Sequence, residues 1–400
     1  MKNRFLSATA LVAAGSVAMV GLALPAGAAA KPHPALPTYT IAYQGPLSGG
    51  NAQLGLNMVY AVQLAINNWN HTAGIKFKLA IYKADDKGDP GVAPAIAVAV
   101  AANSAIKAVV GPAFSGATES SQLAAYSHAH MPLVSPSATA IALTTPTYNS
   151  AHNFFRVVAG DGTQGTADAT YVVSKLKQTH IYVLNDASSY GAGLAGVFAS
   201  VAGKLHAKIK SQTVDGTTGC GAGTGSSTEY PPLAATIRNS GDKFVFYGGY
   251  YCDFGLLTSA LHAAHYTGQI MSGDGSVDPH YIVDTTPHSA ANGAYLSCAC
   301  TTLGTTAADK AFTKGFTKLA GFVPGTYSAE AFDATNVVIY VIKGLHKVTR
   351  QNIINALRAK TFSYKGLTKT VRFQADGDAG GSAVFGYRVL SSKIKEFGAI

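Results

Sequence analysis

Ala108-Val109-Val110 runs directly into Gly111-Pro112-Ala113-Phe114-Ser115-Gly116, a short apolar stretch that ends in a loop of small and polar residues. The same order of residue types occurs twice more in the first half of the chain. Thr40-Ile41-Ala42-Tyr43 is followed by Gly45-Pro46-Leu47-Ser48-Gly49, and Pro132-Leu133-Val134 by Ser135-Pro136-Ser137-Ala138-Thr139. Short apolar runs bounded by turn formers read as buried strands. Further candidates are Lys78–Lys83, His180–Leu184, Lys208–Ser211, Phe244–Tyr247, Gln269–Met271 and Ala294–Cys298. Helical patterns lie between them. Val59, Val62, Ile66 and Trp69 recur at helical spacing, and the alanine-rich stretch Pro90–Ser104 is preceded by Asp89 as a helix opener. Alternating strands and helices predict an α/β protein in which parallel sheets carry helices on both faces. Two such runs predict two lobes, the first from about Thr38 to Val158 and the second from Ala159.

The loops matter for function because open α/β sheets bind ligands beyond the carboxyl ends of their strands. Free backbone N–H groups there can hold an anionic group. Each such loop also has a plain reading as a βα turn, and three of them in one lobe favour a binding site.

The N-terminus predicts export. Lys2 and Arg4 precede an apolar or small-residue run from Phe5 to Leu24, which Pro25 ends; Ala28 and Ala30 offer cleavage sites for a signal peptide over residues 1–30. The apolar core within that run is shorter than the ~20 predominantly apolar residues a spanning helix needs. The expected location is therefore secreted, periplasmic or at the cell surface. About 370 residues would remain, enough for two domains with full cores. The formal net charge is +10, but no tight basic cluster is interleaved with aromatics, which argues against nucleic acid as a partner.

Cys220, Cys252, Cys298 and Cys300 are disulfide candidates in an exported chain. Three connectivities are open. Cys220 with Cys252 is favoured; a Cys298–Cys300 bridge would be strained if both lay in one strand, where their Cα atoms would be about 6.5–7 Å apart. No metal is expected: His128/His130 and His262/His265 lack a third ligand at a familiar spacing. Gly191-Ala192-Gly193-Leu194-Ala195-Gly196 has the form of a dinucleotide fingerprint, with Asp215 further on. Five residues, Asp186–Tyr190, separate it from its strand, whereas a phosphate turn follows the strand directly. No cofactor is expected. A serine-hydrolase elbow is also missing, and no histidine or acid is placed to activate Ser115.

Several collinear segments resemble the branched-chain amino-acid (Leu/Ile/Val) binding proteins of ABC importers. They are Gly45–Gly49 with Ala52–Gly55, Asp85-Asp86 with Asp89-Pro90, Val109–Thr118, Ser135–Thr139, Tyr190–Ala195, Phe244–Tyr251 and Ser272–Gly275. The resemblance implies a type I periplasmic-binding fold of two lobes that close on a ligand. The chain would cross between them near Val158, near Ala299 and between Val371 and Gly380. Lobe 1 would then comprise 38–158 and about 300–370, and lobe 2 comprise 159–299 and about 380–400. The resemblance also implies that Ser115 holds the ligand's α-carboxylate with its hydroxyl and N–H, that Thr139 also serves the zwitterion, and that the Ser137 carbonyl accepts from the ammonium. Asp274 would pair with the ammonium, and Tyr190, Tyr250 and Tyr327 would close over the ligand. This is chemically coherent, because a zwitterion taken out of water needs donors for one end and an acid for the other. An ABC permease is the implied partner, the chain acting as a monomer and not as an enzyme. Leu54 departs from the aromatic residue common in the family, as does the shorter acid Asp274. Gly88 and Phe114 stand where a family disulfide is often found. These departures leave the ligand side chain open, with amides, urea or small aromatic acids as alternatives, and outside transport the alternative is a ligand-sensing receptor that signals through a partner.

Overall fold

The computed structural model describes residues 35–215, 228–301, 303–380 and 383–400. The export-signal region and Cys220 lie outside them. In the first sheet β1 (Thr38–Gly45), β2 (Lys78–Asp85), β3 (Ile106–Val110), β4 (Leu133–Ser135) and β5 (Phe154–Arg156) are ordered β2-β1-β3-β4-β5, all parallel. Their connecting helices are α1 (Ala52–Asn70), α2 (Ala93–Ala102), α3 (Ser115–Ser121) and the short α4 (Pro146–Asn149).

The second sheet begins after α5 (Asp161–Thr170). It contains β6 (His180–Asn185), β7 (Lys208–Thr213), β8 (Phe244–Gly248), β9 (Gln269–Ser272) and β10 (Tyr295–Cys298), with helices α6 (Ser189–Lys204), α7 (Tyr230–Ser240), α8 (Tyr251–Ala263) and α9 (His280–Asp284). The chain then returns to the first sheet with α10 (Ala307–Ala320), α11 (Ser328–Gly344) and α12 (Arg350–Leu357), of which α10 and α11 pack on α1. A two-residue ladder, β11 (Tyr364–Lys365) with β12 (Thr370–Val371), precedes the last passage. That passage ends in β13 (Phe385–Leu390) and β14 (Lys393–Ala399), which join β10 antiparallel and give the order β14-β13-β10-β9-β8-β6-β7. The second sheet is therefore mixed, with an antiparallel hairpin on one edge.

Strict alternation explains the continuous apolar runs. Ile41 and Tyr43 face the inner core while Ala42 faces the outer one; Val245 and Tyr247 face inward while Phe244 and Phe246 face outward. Both sheet faces are covered, so both sets of side chains must be apolar. Between the sheets, Ala159, Ala299 and Val384 from the three crossings form a separate small apolar cluster. Arg156 ties the first crossing to the third. Its backbone N–H donates to Gly377, its carbonyl accepts from Ala379, and its guanidinium grips Asp378.

Three local readings change. Cys298 and Cys300 are bonded to each other. Only Cys298 is in a strand; the chain turns after it and brings the Cα atoms to 5.1 Å. Cys252 is also disulfide-bonded. The alanine-rich helix starts at Ala93, three residues later than the sequence suggests. Asp89 spends its carboxylate on the Gly91 N–H in a preceding turn, while its carbonyl accepts from Val92 and Ala93. Within residues 191–196, Gly191 serves packing. A Cβ at Gly191 would lie 2.4 Å from the Gly248 carbonyl oxygen, so the glycine lets α6 sit on β8.

Gly55 plays a similar part in α1. A Cβ there would come within 1.6 Å of the Pro46 carbonyl oxygen, so the helix and the 45–50 loop touch only because the side chain is missing. Gly55→Ala is expected to lower unfolding free energy by about 1–3 kcal/mol, the usual range for overpacking. Urea denaturation of the two proteins checks this, and an unchanged midpoint would contradict it.

Candidate functional site

The strand ends of both sheets converge. Ser115 opens α3 after β3, Ser137 and Thr139 follow β4, Tyr190 lies in the first turn of α6, Tyr250 follows β8, and Asp274 follows β9. Tyr327 precedes α11 in a left-handed conformation (φ 66°). That region is disfavoured for a bulky side chain, and strained residues of this kind persist where packing holds them. Here the conformation aims the Tyr327 hydroxyl at Asp274.

Ser115, Ser137, Tyr190, Tyr250, Asp274 and Tyr327 line one cleft together with Leu54, Ala113, Phe114 and Gly275. The two serines also cross-brace the first-sheet loops. Ser115 Oγ accepts from the Ala140 N–H at 3.1 Å, and Ser137 Oγ donates to the Ala113 carbonyl at 2.7 Å. Opposite them, Asp274 accepts from the Tyr190 hydroxyl at 2.8 Å and from Tyr327 at 2.5 Å. The Tyr190 oxygen in turn accepts from the Gly275 N–H. Phe114 and Tyr250 stack across the cleft with centroids 4.4 Å apart. Further contacts hold the two halves together: Ser189 donates to Glu119 at 2.5 Å, and Tyr251 to the Gly50 carbonyl at 2.7 Å. The cavity left between the lining side chains is about 10 Å³, room for one water. An amino acid can enter this site only if the two halves part.

Thr139 is not among the cleft-lining residues. It sits immediately behind them, buried, next to an acid that sequence reasoning missed. Asp161, the first residue of α5, is fully buried, and neither of its carboxylate oxygens has a hydrogen-bond partner. Burial first, and then the charge of Asp274, push its pKa from 3.8 up to about 7, against smaller opposing effects of Thr139 and Arg156. The Thr139 hydroxyl is close enough to act on Asp161, yet it too lacks hydrogen-bonding geometry to any partner. One helical turn and two turns further along the same face of α5 lie Gln164 and Asp168. Gln164 donates to the Ser297 hydroxyl, which donates to Asp168 at 2.9 Å. Burial raises Asp168 well above the usual carboxylate range, and Asp274 is raised for the same first cause. Asp161 carries little sequence signal, since an acid at a helix start is an ordinary first-turn residue. Its only hint is Arg156 five residues earlier, at the end of an apolar run that would bury it.

A larger groove of about 690 Å³ lies on the far side of the 277–283 and 324–329 segments. Its walls are mostly apolar, among them Val277, Ile282, Leu303 and Ile394, and no carboxylate lines it. The donors and acids suited to a zwitterion are all at the smaller cleft.

The comparisons agree with this architecture. The sequence model described as periplasmic binding protein matches residues 38–393. The Leu/Ile/Val-binding protein of Escherichia coli (strain K12) is 31% identical over 236 residues, 59% of this chain and 61% of that protein. The aligned part thus spans about three fifths of that relative's length. The leucine-, isoleucine-, valine-, threonine-, and alanine-binding protein of Pseudomonas aeruginosa is 26% identical over 344 residues, covering 85% of this chain and 87% of that one. Among solved structures, the branched-chain amino acid transporter substrate binding protein LivJ of Streptococcus pneumoniae, in complex with isoleucine, superposes with a TM-score of 0.78 at 25% identity; the match covers 91% of this chain and 99% of LivJ. With two α/β sheets joined by three crossings and a model match over nearly all of the described residues, the chain belongs to the periplasmic binding protein family.

Proposed function

We propose that this protein captures a small amino acid between its two lobes and presents it to a membrane permease of an ABC importer. Lobe 1 is taken as residues 38–158 with about 300–370, and lobe 2 as 159–299 with about 380–400. The observation that carries the reading is the opposition of two chemistries in one cleft: hydroxyls of Ser115 and Ser137 from one sheet face the tyrosine-held carboxylate of Asp274 from the other. Ser115 holds the ligand carboxylate and Thr139 also serves the zwitterion, while Asp274 and the neighbouring Asp161 take the ammonium. Tyr190, Tyr250 and Tyr327 shut the ligand in. Both lobes touch the ligand only when closed, so binding shifts the hinge equilibrium toward closure. The names of the relatives support an aliphatic amino acid. No covalent step is assigned to the site. The apolar run that opens the sequence supports secretion through a cleaved signal, and the protein acts as a monomer.

A thermal-shift screen of ligand-stripped protein against aliphatic amino acids, amides, urea and small aromatic acids tests the reading. A ligand selective for the native state raises the melting temperature in proportion to the logarithm of its concentration. Amino acids are expected to do so, and Asp274→Ala to abolish the effect. A shift by amides or aromatic acids alone would sink the zwitterion site.

A further inference from the structure

Among the described residues, buried side-chain atoms without hydrogen-bond partners concentrate at one place. Thr139 Oγ1, both oxygens of Asp161, Gln164 Oε1 and Asp168 Oδ1 are all of this kind, and all lie behind the cleft wall formed by Asp274. Buried polar atoms in native proteins are almost always paired, so such a cluster needs an explanation. The acids there are three, Asp161, Asp168 and Asp274, and the charge of Asp274 acts on both of the others. The charged and titratable groups that face them are few. From β5 comes Arg156, whose guanidinium is already committed to Asp378 and to the carbonyls of Ala138 and Ala140. From α6 comes Tyr190, from the turn after β8 Tyr250, and from the start of α11 Tyr327, with Glu330 behind it. These tyrosines stay neutral and can donate only one proton each. Asp274 uses two of them, Tyr190 and Tyr327. Asp161 has none, so the unmet demand for a cation is greatest at Asp161 rather than at Asp274.

We propose that the ligand's ammonium enters against Asp161 and Asp274 together and expels to solvent one proton that Asp161, Asp168 and Asp274 hold among them, so that the site closes only on ligands bearing an ammonium. Three buried carboxylates with no cation committed to them resist ionising together. Up to about neutral pH a proton stays with the set unless another positive charge replaces it. At the acids the exchange balances: the ligand's ammonium replaces one proton, which leaves to the buffer, while the ligand's carboxylate is held by the neutral hydroxyls opposite, so the closed site as a whole becomes one unit more negative. Because the acids titrate as a set, the proton is assigned to the set and not to one oxygen. The direction of Asp161, raised to about 7, places the exchange near neutral pH. Below that pH the ligand must displace the proton; above it the site is already ionised.

This inference rests on the amino-acid reading of the cleft, and the experiment separates the two. Titration calorimetry with L-leucine and L-alanine, in phosphate and in Tris, gives the protons released per ligand bound. About one is expected at pH 6 and close to none at pH 8.5, with affinity rising roughly tenfold per pH unit below neutrality. Difference infrared spectra on adding L-leucine at pH 6 should show loss of a protonated-carboxyl band, and Asp161→Asn should remove both that signal and the proton release. 4-Methylpentanoate, which is leucine without its ammonium, should bind at least 100-fold more weakly. Leucine or alanine bound with no proton release and pH-independent affinity overturns the inference and leaves the amino-acid reading intact. Tight binding of 4-methylpentanoate or benzoate with no binding of either amino acid overturns both.

Discussion

Asp161→Asn is expected to weaken amino-acid binding by roughly 100- to 1,000-fold while making the unliganded protein more stable at pH 8. The two effects have one cause. In the wild type this carboxyl is held neutral up to about 7, against 3.8 in its ordinary state, which corresponds to a penalty of roughly 4 kcal/mol on its charged form. Between those pH values the native state binds the proton more tightly than the unfolded chain. Unfolding free energy therefore falls as pH rises through the window, and the loss is complete above about 7. Asparagine has no charge to bury, and its amide offers a donor to the partnerless Thr139 hydroxyl. It removes the penalty without changing the shape of the side chain. Binding suffers because the ammonium loses a buried counter-charge, an effect of about 3–5 kcal/mol when one partner is removed. Asp86 at about 6 and Asp186 and Glu330 at about 7, each raised mainly by burial, act with the same sign. A residual loss of stability with pH should thus survive in the variant. Urea unfolding at pH 5 and pH 8.5, with calorimetry on the same samples, decides the matter. A variant no more stable than wild type at pH 8.5, or one that binds normally, would show that Asp161 is not the strained anchor described here.

What could be read from the sequence follows the physics of each element. Most of the nine strands read from the sequence announce themselves because both faces are buried and the runs are apolar, whereas β2 and β7 carry lysines and other polar residues on exposed faces. β13 and β14 do not announce themselves, because Arg388, Lys393, Lys395 and Glu396 interrupt an exposed edge hairpin. β5 is three residues long and ends in Arg156, whose burial depends on Asp378, 222 residues away. The cleft shows the same divide. Ser115, Ser137, Tyr190, Tyr250, Asp274 and Tyr327 stand in the loops after strands or at helix starts, where composition marks them, and the structure brings them together. Asp161 acquires its character from Asp274 and Arg156, which only the fold places near it. The Cys298–Cys300 bridge is legible only once the strand is seen to end between the two residues.

Arg156→Met should produce the largest loss of stability of any single change outside the cleft, roughly 3–5 kcal/mol. The guanidinium is 2% exposed and makes a two-pronged contact with Asp378, whose own side chain is 26% exposed. It also donates to the carbonyls of Ala140 at 2.9 Å and Ala138 at 3.4 Å, one on each side of Thr139. Methionine fills a similar volume but strands the Asp378 carboxylate and the Ala138 carbonyl, leaving Ala140 only its bond from the Leu143 N–H, and truncating one partner of a buried pair costs about this much. Lysine should rescue little, since a single ammonium cannot reproduce the planar fork. The neighbouring chain leaves no room to adjust, because a Cβ on Gly160 would meet the guanidinium at 2.6 Å. The loss comes mainly from stranding Asp378, so Arg156→Met combined with Asp378→Leu should be less destabilising than Arg156→Met alone. Denaturation of the two single variants and the double variant measures that coupling. Strict additivity would mean that Arg156 is only a space-filler. A strong coupling would mean that one side chain holds the first and third crossings together and sets the position of the Thr139 loop, so ligand affinity should fall along with stability even though Arg156 never touches the ligand.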